Sequence, residues 1–279
     1  MALTSCSMGY GPVRDYSRFV TARLADDGNS VVFGFHRLRY RPAAGIRAFP
    51  DGGIPRYLAD KHVLGVFDRT TKTLRILQKE PNRTWTDGQG SFYIGDMKGP
   101  MVLVSQGGQG RHDLSRTIVR HCLVNWRTGA AEDLDLRADF AKLGLDPGII
   151  YLVNEDGTLL FITHPLEQPG SSAKQEGETV PEIWIRIPAG EYVKAATTAH
   201  YEGYENGDVI YWEPDTRKFS AFRVADRTTR RIPNRRPPPL SQVTVGVGMS
   251  DDRKSIEYGT KKGDQWEYVP MGLTADMLP

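Results

Sequence analysis

Five short polar turns, each set between two apolar, strand-like runs, constrain this chain more than any other feature. They fall at Asp27-Gly28, Lys98-Gly99, Asp156-Gly157, Asn206-Gly207 and Asp252-Arg253. Asp-Gly and Asn-Gly between alternating apolar residues are strong hairpin signals, because they accept the positive φ angles of primed turns, whose twist matches that of paired strands. The fifth turn lacks the glycine. Five hairpins spread over 279 residues predict an all-β chain of repeated antiparallel units. A five-bladed β-propeller of four-stranded antiparallel blades satisfies the spacing.

Runs of β-branched and aromatic residues fill in the strands. Blades are expected at about 18–78, 91–137, 148–196, 198–233 and 242–270, all within one domain spanning 1–279. The first four each supply four strand-like runs, and the fifth only three, at 243–249, 255–259 and 266–269. An open sheet edge invites unwanted pairing. Residues 4–11 are therefore expected to provide the missing outer strand and close the propeller. A single helix is predicted, over 134–143.

Composition narrows the alternatives. Hydrophobic residues make up 39% and charged residues 25% of the chain, ordinary values for a protein with a packed core. No apolar run approaches the roughly 18 residues of a membrane helix. With 36 Lys and Arg against 34 Asp and Glu, the net charge of +2 gives no global attraction to nucleic acid. Two cysteines, Cys6 and Cys122, cannot build a disulfide framework, and Cys122 in Arg120-His121-Cys122-Leu123-Val124 reads as a buried thiol.

Two segments carry resemblances. Leu24 to Phe33 (Leu-Ala-Asp-Asp-Gly-Asn-Ser-Val-Val-Phe) and Val153 to Phe161 (Val-Asn-Glu-Asp-Gly-Thr-Leu-Leu-Phe) resemble the Ser-Pro-Asp-Gly repeat of the periplasmic Tol-system β-propellers, with Met249 to Ile256 a worn copy. None of the three has the proline. The resemblance implies a propeller and no chemistry, since that repeat occurs in binding proteins, peptidase gates and lyases alike. Separately, Leu3-Thr4-Ser5-Cys6 resembles a bacterial lipobox, which implies lipidation at Cys6 and a periplasmic or outer-membrane-anchored protein. The apolar segment that precedes a lipobox is not among residues 1–5, and a cytoplasmic location is the alternative.

Strand order also predicts where a site belongs. In a propeller, the first-to-second and third-to-fourth turns share one face, while second-to-third and blade-to-blade connections share the other. The first class is uniformly tight here. Residues 41–61, 78–91, 106–117, 137–148, 165–181 and 233–242 fall in the second class, and long irregular connections usually carry function.

That face is expected to be cationic and aromatic. Between His36 and His62, Arg37, Arg39, Arg41, Arg47, Arg56 and Lys61 oppose only Asp51 and Asp60, with Tyr40, Phe49 and Tyr57 interleaved. Arginine forks grip carboxylate, phosphate or sulfate, and aromatic faces stack on sugars. The same alternation also fits the wet face of a long hairpin. A glycine-rich segment, 107–113, adds Arg111 and His112, though it is neither a Walker loop nor a dinucleotide fingerprint. His36, His62, His112, His164 and His200 are expected at strand ends or loops of this face, with His121 inside a strand. No histidine pair has the spacing of a metal motif, so a divalent metal would need ligands from different blades. The basic, proline-rich run 230–239 reads as a stiff connector.

These observations point first to recognition: an anionic small molecule or glycan, or an envelope protein, bound by a monomer through Arg37, Arg39, Tyr40, Arg56, Tyr57, Arg111 and His112, with no cofactor. A glycoside hydrolase or polysaccharide lyase is the alternative, with catalytic candidates Asp15, Asp87, His112, Asp146 and His200 around a central funnel. A structural module of an envelope assembly is the third reading. No Gly-x-Ser-x-Gly nucleophile elbow is present.

Overall fold

A computed structural model of the chain describes residues 12–41, 56–80, 92–107, 118–165, 181–197, 199–232 and 245–279. Among these residues it forms five sheets. The first contains β1 (Arg14–Leu24), β2 (Ser30–Arg41), β3 (Arg56–Asp68) and β4 (Thr73–Glu80), and the second β5 (Phe92–Lys98), β6 (Met101–Gly107), β7 (Ile118–Asn125) and β8 (Ala131–Leu134). After a helix, α1 (Leu136–Lys142), the third contains β9 (Leu145–Leu152), β10 (Leu159–Pro165), β11 (Glu182–Arg186) and β12 (Tyr192–Thr197). The fourth contains β13 (His200–Glu205), β14 (Asp208–Glu213), β15 (Lys218–Arg223) and β16 (Thr228–Ile232). The fifth has three strands, β17 (Val245–Met249), β18 (Ser255–Lys262) and β19 (Gln265–Thr274). Within every sheet the strands lie in chain order, as expected when short turns connect antiparallel neighbours. None of the described helices is long and apolar enough to cross a membrane.

Each of the five turn signals joins the first strand of a sheet to its second. Gly28, Gly99, Gly157 and Gly207 have φ of 67°, 50°, 92° and 84°, and in the fifth turn Arg253 takes the left-handed conformation at 56°. Carboxylates brace three of these turns. Asp27 accepts from the backbone N–H groups of Asn29 and Ser30, Asp156 from Thr158 and Asp252 from Lys254, at 2.8–3.0 Å. That bracing lets the fifth turn form without glycine.

The chain divides into two compact units, one comprising Met1–Ile94, Gln106–Gln109 and Val243–Pro279, the other Gly95–Ser105 and Gly110–Gln242. In the first unit, sheets from opposite ends of the chain share a core. Phe19, Phe33, Phe35 and Phe67 of the first sheet pack with Ile256, Met271 and Leu273 of the fifth. Phe19 N–H donates to the Arg253 carbonyl at 2.8 Å and Lys72 Nζ to the Met271 carbonyl at 2.9 Å. In the second unit, Phe140 of α1 packs with Leu103 and Leu123 of the second sheet and Leu159 and Phe161 of the third. A further cluster joins Leu160, Ile183 and Ile185 to Val209, Tyr211 and Phe222 of the fourth.

Several expected boundaries move. The β2–β3 ladder continues to Arg41↔Arg56, so residues 56–61, expected in a loop, are strand. The helix is shorter than 134–143: Leu134 stays in β8, and Asp135 caps the helix by accepting from Ala138 N–H at 3.2 Å. β9 starts at Leu145, earlier than the expected 149, absorbing Pro147-Gly148 in an irregularity opposite β10. His36 and His62, expected at strand ends, lie inside the long hairpin as register partners. They are buried, with rings stacked 4.4 Å apart. Cys122 is a buried residue of β7, as expected. Residues 4–11, including Cys6, lie outside the described residues.

Candidate functional site

The first strands of three successive sheets, β5, β9 and β13, line a cleft of about 180 Å³ within the second unit. Its walls are Asp96 and Lys98 from β5, Tyr151 and Leu152 from β9, Val153 just beyond, and Tyr201 and Tyr204 from β13. Alternation puts Asp96 and Lys98 on one face of their strand. The Asp96 carboxylate accepts from Leu152 N–H at 3.2 Å, tying β5 to β9. Lys98 makes no ion pair with another described residue, so its charge is available to a ligand.

The two tyrosines of β13 share the cleft because of one extra residue. Three positions apart in a regular strand, Tyr201 and Tyr204 would face opposite ways. The β13–β14 register, however, shifts between Tyr201 and Gly203, leaving Glu202 as a bulge. Both rings consequently pack on the same apolar cluster. Tyr151 and Tyr201 lie with ring centroids 5.2 Å apart and planes tilted by 38°.

Burial governs the chemistry of these phenols. It pushes Tyr201 up to about 12, assisted by Tyr151, Asp96 and Tyr204. Burial also raises Tyr204, with smaller contributions from Asp156 and Asp208. Both remain protonated hydroxyl donors at neutral pH. The cleft thus combines aromatic surface, phenolic donors, one carboxylate acceptor and one cation.

Asp96, Lys98, Tyr151, Val153 and Tyr204 stand at the strand ends that lead into the tight turns. Sequence reasoning placed the site at the other ends, by the long connections. Residues 42–55, 81–91, 108–117, 166–180 and 233–244 of those connections lie outside the described residues, as do Asp87, Arg111 and His112.

The remaining expected residues are spread out. Arg37 reaches Asp15 with Nη2 to Oδ2 at 2.9 Å and Nε to Oδ1 at 3.3 Å. That bond holds the Asp15 carboxyl below its usual range and raises Arg37. Asp15 is therefore an ion-pair partner on β1, not a carboxyl poised to donate a proton. Arg39 and Arg41 share the Arg37 face of β2 by alternation, and Arg56 lies opposite Arg41. Tyr40 occupies the other face, with Tyr57 as its register partner. Asp146 accepts from Gly148 N–H at 3.0 Å, shaping the start of β9. His200 is exposed at the start of β13, opposite Trp212. His121 is half-buried, and that desolvation lowers its pKa, while its Nδ1 lies 3.1 Å from Ser105 Oγ. Among the described residues no group of three His, Cys, Asp or Glu could hold a metal ion.

No protein-family model and no curated protein matches the chain. Among solved structures, an oligogalacturonate lyase from Vibrio parahaemolyticus is similar to it with a TM-score of 0.39 and 11% identity. That similarity covers 90% of this chain and 65% of the lyase chain.

Proposed function

We propose that the protein is a five-bladed β-propeller, closed by residues 4–11, that binds an acidic glycan by seating one sugar ring in the cleft between β5, β9 and β13. The observation that carries this reading is the convergence of Tyr151, Tyr201, Tyr204, Asp96 and Lys98 from three first strands. Aromatic faces accept the apolar C–H face of a pyranose, phenols and a carboxylate exchange hydrogen bonds with its hydroxyls, and the lysine pairs with an anionic substituent. At about 180 Å³ the cleft is smaller than the roughly 300–1,000 Å³ of drug-sized pockets, which suits a single ring. The shared core of the first and last sheets supports the five-bladed arrangement. Among the described residues one carboxylate lines the cleft, whereas hydrolysis by paired carboxylates uses two about 5–10 Å apart. Recognition is thus favoured over cleavage.

Calorimetric titration with galacturonate and glucuronate oligomers tests the reading. Binding should weaken about tenfold or more in Lys98→Ala, since a charge-assisted bond contributes roughly 1.5–3 kcal/mol. The same variant should lose the preference for acidic over neutral oligomers. Equal affinity in wild type, Lys98→Ala and Tyr204→Ala would refute the site. Ultraviolet absorbance from unsaturated uronate ends would instead identify a polysaccharide lyase.

A further inference from the structure

A second aromatic arrangement lies in the first unit, on the fifth sheet. β19, the last strand of that sheet among the described residues, places Trp266 and Tyr268 two residues apart, on one face. Their ring planes are within 21° of parallel, yet the centroids are 6.1 Å apart. Rings stacked face to face would be closer, so these lie side by side.

The neighbouring strands explain the flatness. β17 and β18 put Gly246, Gly248 and Gly259 beneath the rings. A Cβ built on Gly248 or Gly259 would sit 2.7 Å from Tyr268 Cε1, and one on Gly246 would sit 3.4 Å from Trp266 Cη2. Each ring thus rests one face on bare backbone. Any larger side chain there would lift it.

The platform also meets water. Trp266 is 38% and Tyr268 48% exposed, whereas the opposite face of the sheet, with Val247, Met249 and Tyr258, packs into the core. Register and alternation place Glu257, opposite Pro270, and Lys261, opposite Trp266, on the platform face. Neither forms an ion pair or hydrogen bond with another described residue.

We propose that Trp266 and Tyr268 form a second glycan-binding site, for an extended β-1,4-linked pyranose chain. In the gluco configuration such a chain carries its ring substituents equatorially, and in the manno configuration all but the 2-hydroxyl, so consecutive sugars present flat faces of axial C–H bonds. Those slightly positive C–H groups complement the negative faces of aromatic rings. Glu257 and Lys261 lie where they can exchange hydrogen bonds with the hydroxyls at the chain edges. No cation is required, so neutral glycans bind, which separates this site from the acidic-sugar cleft. Like-for-like support from the glycine floor fixes the rings before the ligand arrives, keeping the ordering cost of binding low.

Tryptophan fluorescence and calorimetry with cellohexaose, mannohexaose and chitohexaose test the proposal. At least one neutral hexamer should bind the wild-type protein, with little dependence on salt. Trp266→Ala and Tyr268→Ala should each weaken it about tenfold or more, while Tyr268→Phe retains binding and Trp266→Phe loses less than Trp266→Ala. Lys98→Ala should leave this affinity unchanged even if it abolishes binding of acidic sugars. Thermal unfolding of each variant identifies any loss that comes from misfolding. The proposal is overturned if none of the three hexamers binds, or if folded Trp266→Ala and Tyr268→Ala bind as the wild type does.

Discussion

Asp208 shows how one carboxylate can hold a sheet together. Its side chain is 5% exposed and lies within 2.7 Å of both Arg223 Nε and Arg230 Nη2, with Arg223 Nη2 at 3.0 Å. One acidic group on β14 therefore ties β15 and β16. The hydrogen bonds from Arg223 come first and those from Arg230 add to them, outweighing burial and lowering the carboxyl to about 2 from 3.8. Because the folded value lies below the unfolded one, the stabilisation is fully present above pH 4 and is lost as pH falls toward 2. The two arginines are 44% and 62% exposed, so solvent screens the interaction. Asp208→Asn should cost about 1–2 kcal/mol at pH 7. Urea unfolding at several pH values should show the gap between variant and wild type narrowing from pH 4 to pH 2. A gap independent of pH would mean that packing, not charge, is the source.

At the scale of elements, the cleft depends on an irregularity. Deleting Glu202 removes the β13 bulge and restores strict alternation, with Tyr201 and Tyr204 two positions apart in a regular strand and still on one face. The expected outcome is a folded protein, by circular dichroism, whose affinity for acidic oligomers stays within about threefold of the wild type, since both rings and their hydroxyls remain in the site. A loss of about tenfold or more would show that the bulge itself, and not only the shared face of the two rings, shapes the cleft. The same bulge explains what sequence could and could not supply. Strand positions were legible because β-branched runs and Asp-Gly or Asn-Gly turns act locally, within a few residues of where they stand. Asp15, by contrast, was expected near a funnel, but its cross-strand Arg37, 22 residues away, takes up its charge. In the sequence Tyr151, Tyr201 and Tyr204 stand in strand-like runs, as aromatics do in any strand. A tyrosine that lines a cleft and one that fills a core have the same local signature, and register shifts leave no compositional trace. The Asp96-x-Lys98 pair preceding Gly99 is the one local sign of polar groups sharing a face beside a tight turn.

For the whole molecule, the central issue is how the chain ends meet. The first and fifth sheets share one core, with β1 packed against β17 and Phe19 bonded to Arg253. Contacts between the two ends of a 279-residue sequence close a long loop and are slow to form. Among the described residues, β19 pairs on one side only, with β18. Val269 is exposed on it, and an edge left without a partner strand is a template for another. If residues 4–11 fill that edge, a chain shortened to begin at Pro12 should unfold at a temperature lower by about 5 °C or more. At roughly 2–4 °C per kcal/mol, that corresponds to about 2 kcal/mol of lost pairing. The shortened chain should also associate with rising concentration, seen by light scattering, as free edges pair with one another. A strand added along an edge leaves the faces of Trp266 and Tyr268 uncovered. Cellohexaose binding should therefore survive the truncation while stability falls, and an unchanged midpoint and mass would exclude residues 4–11 as the closing strand.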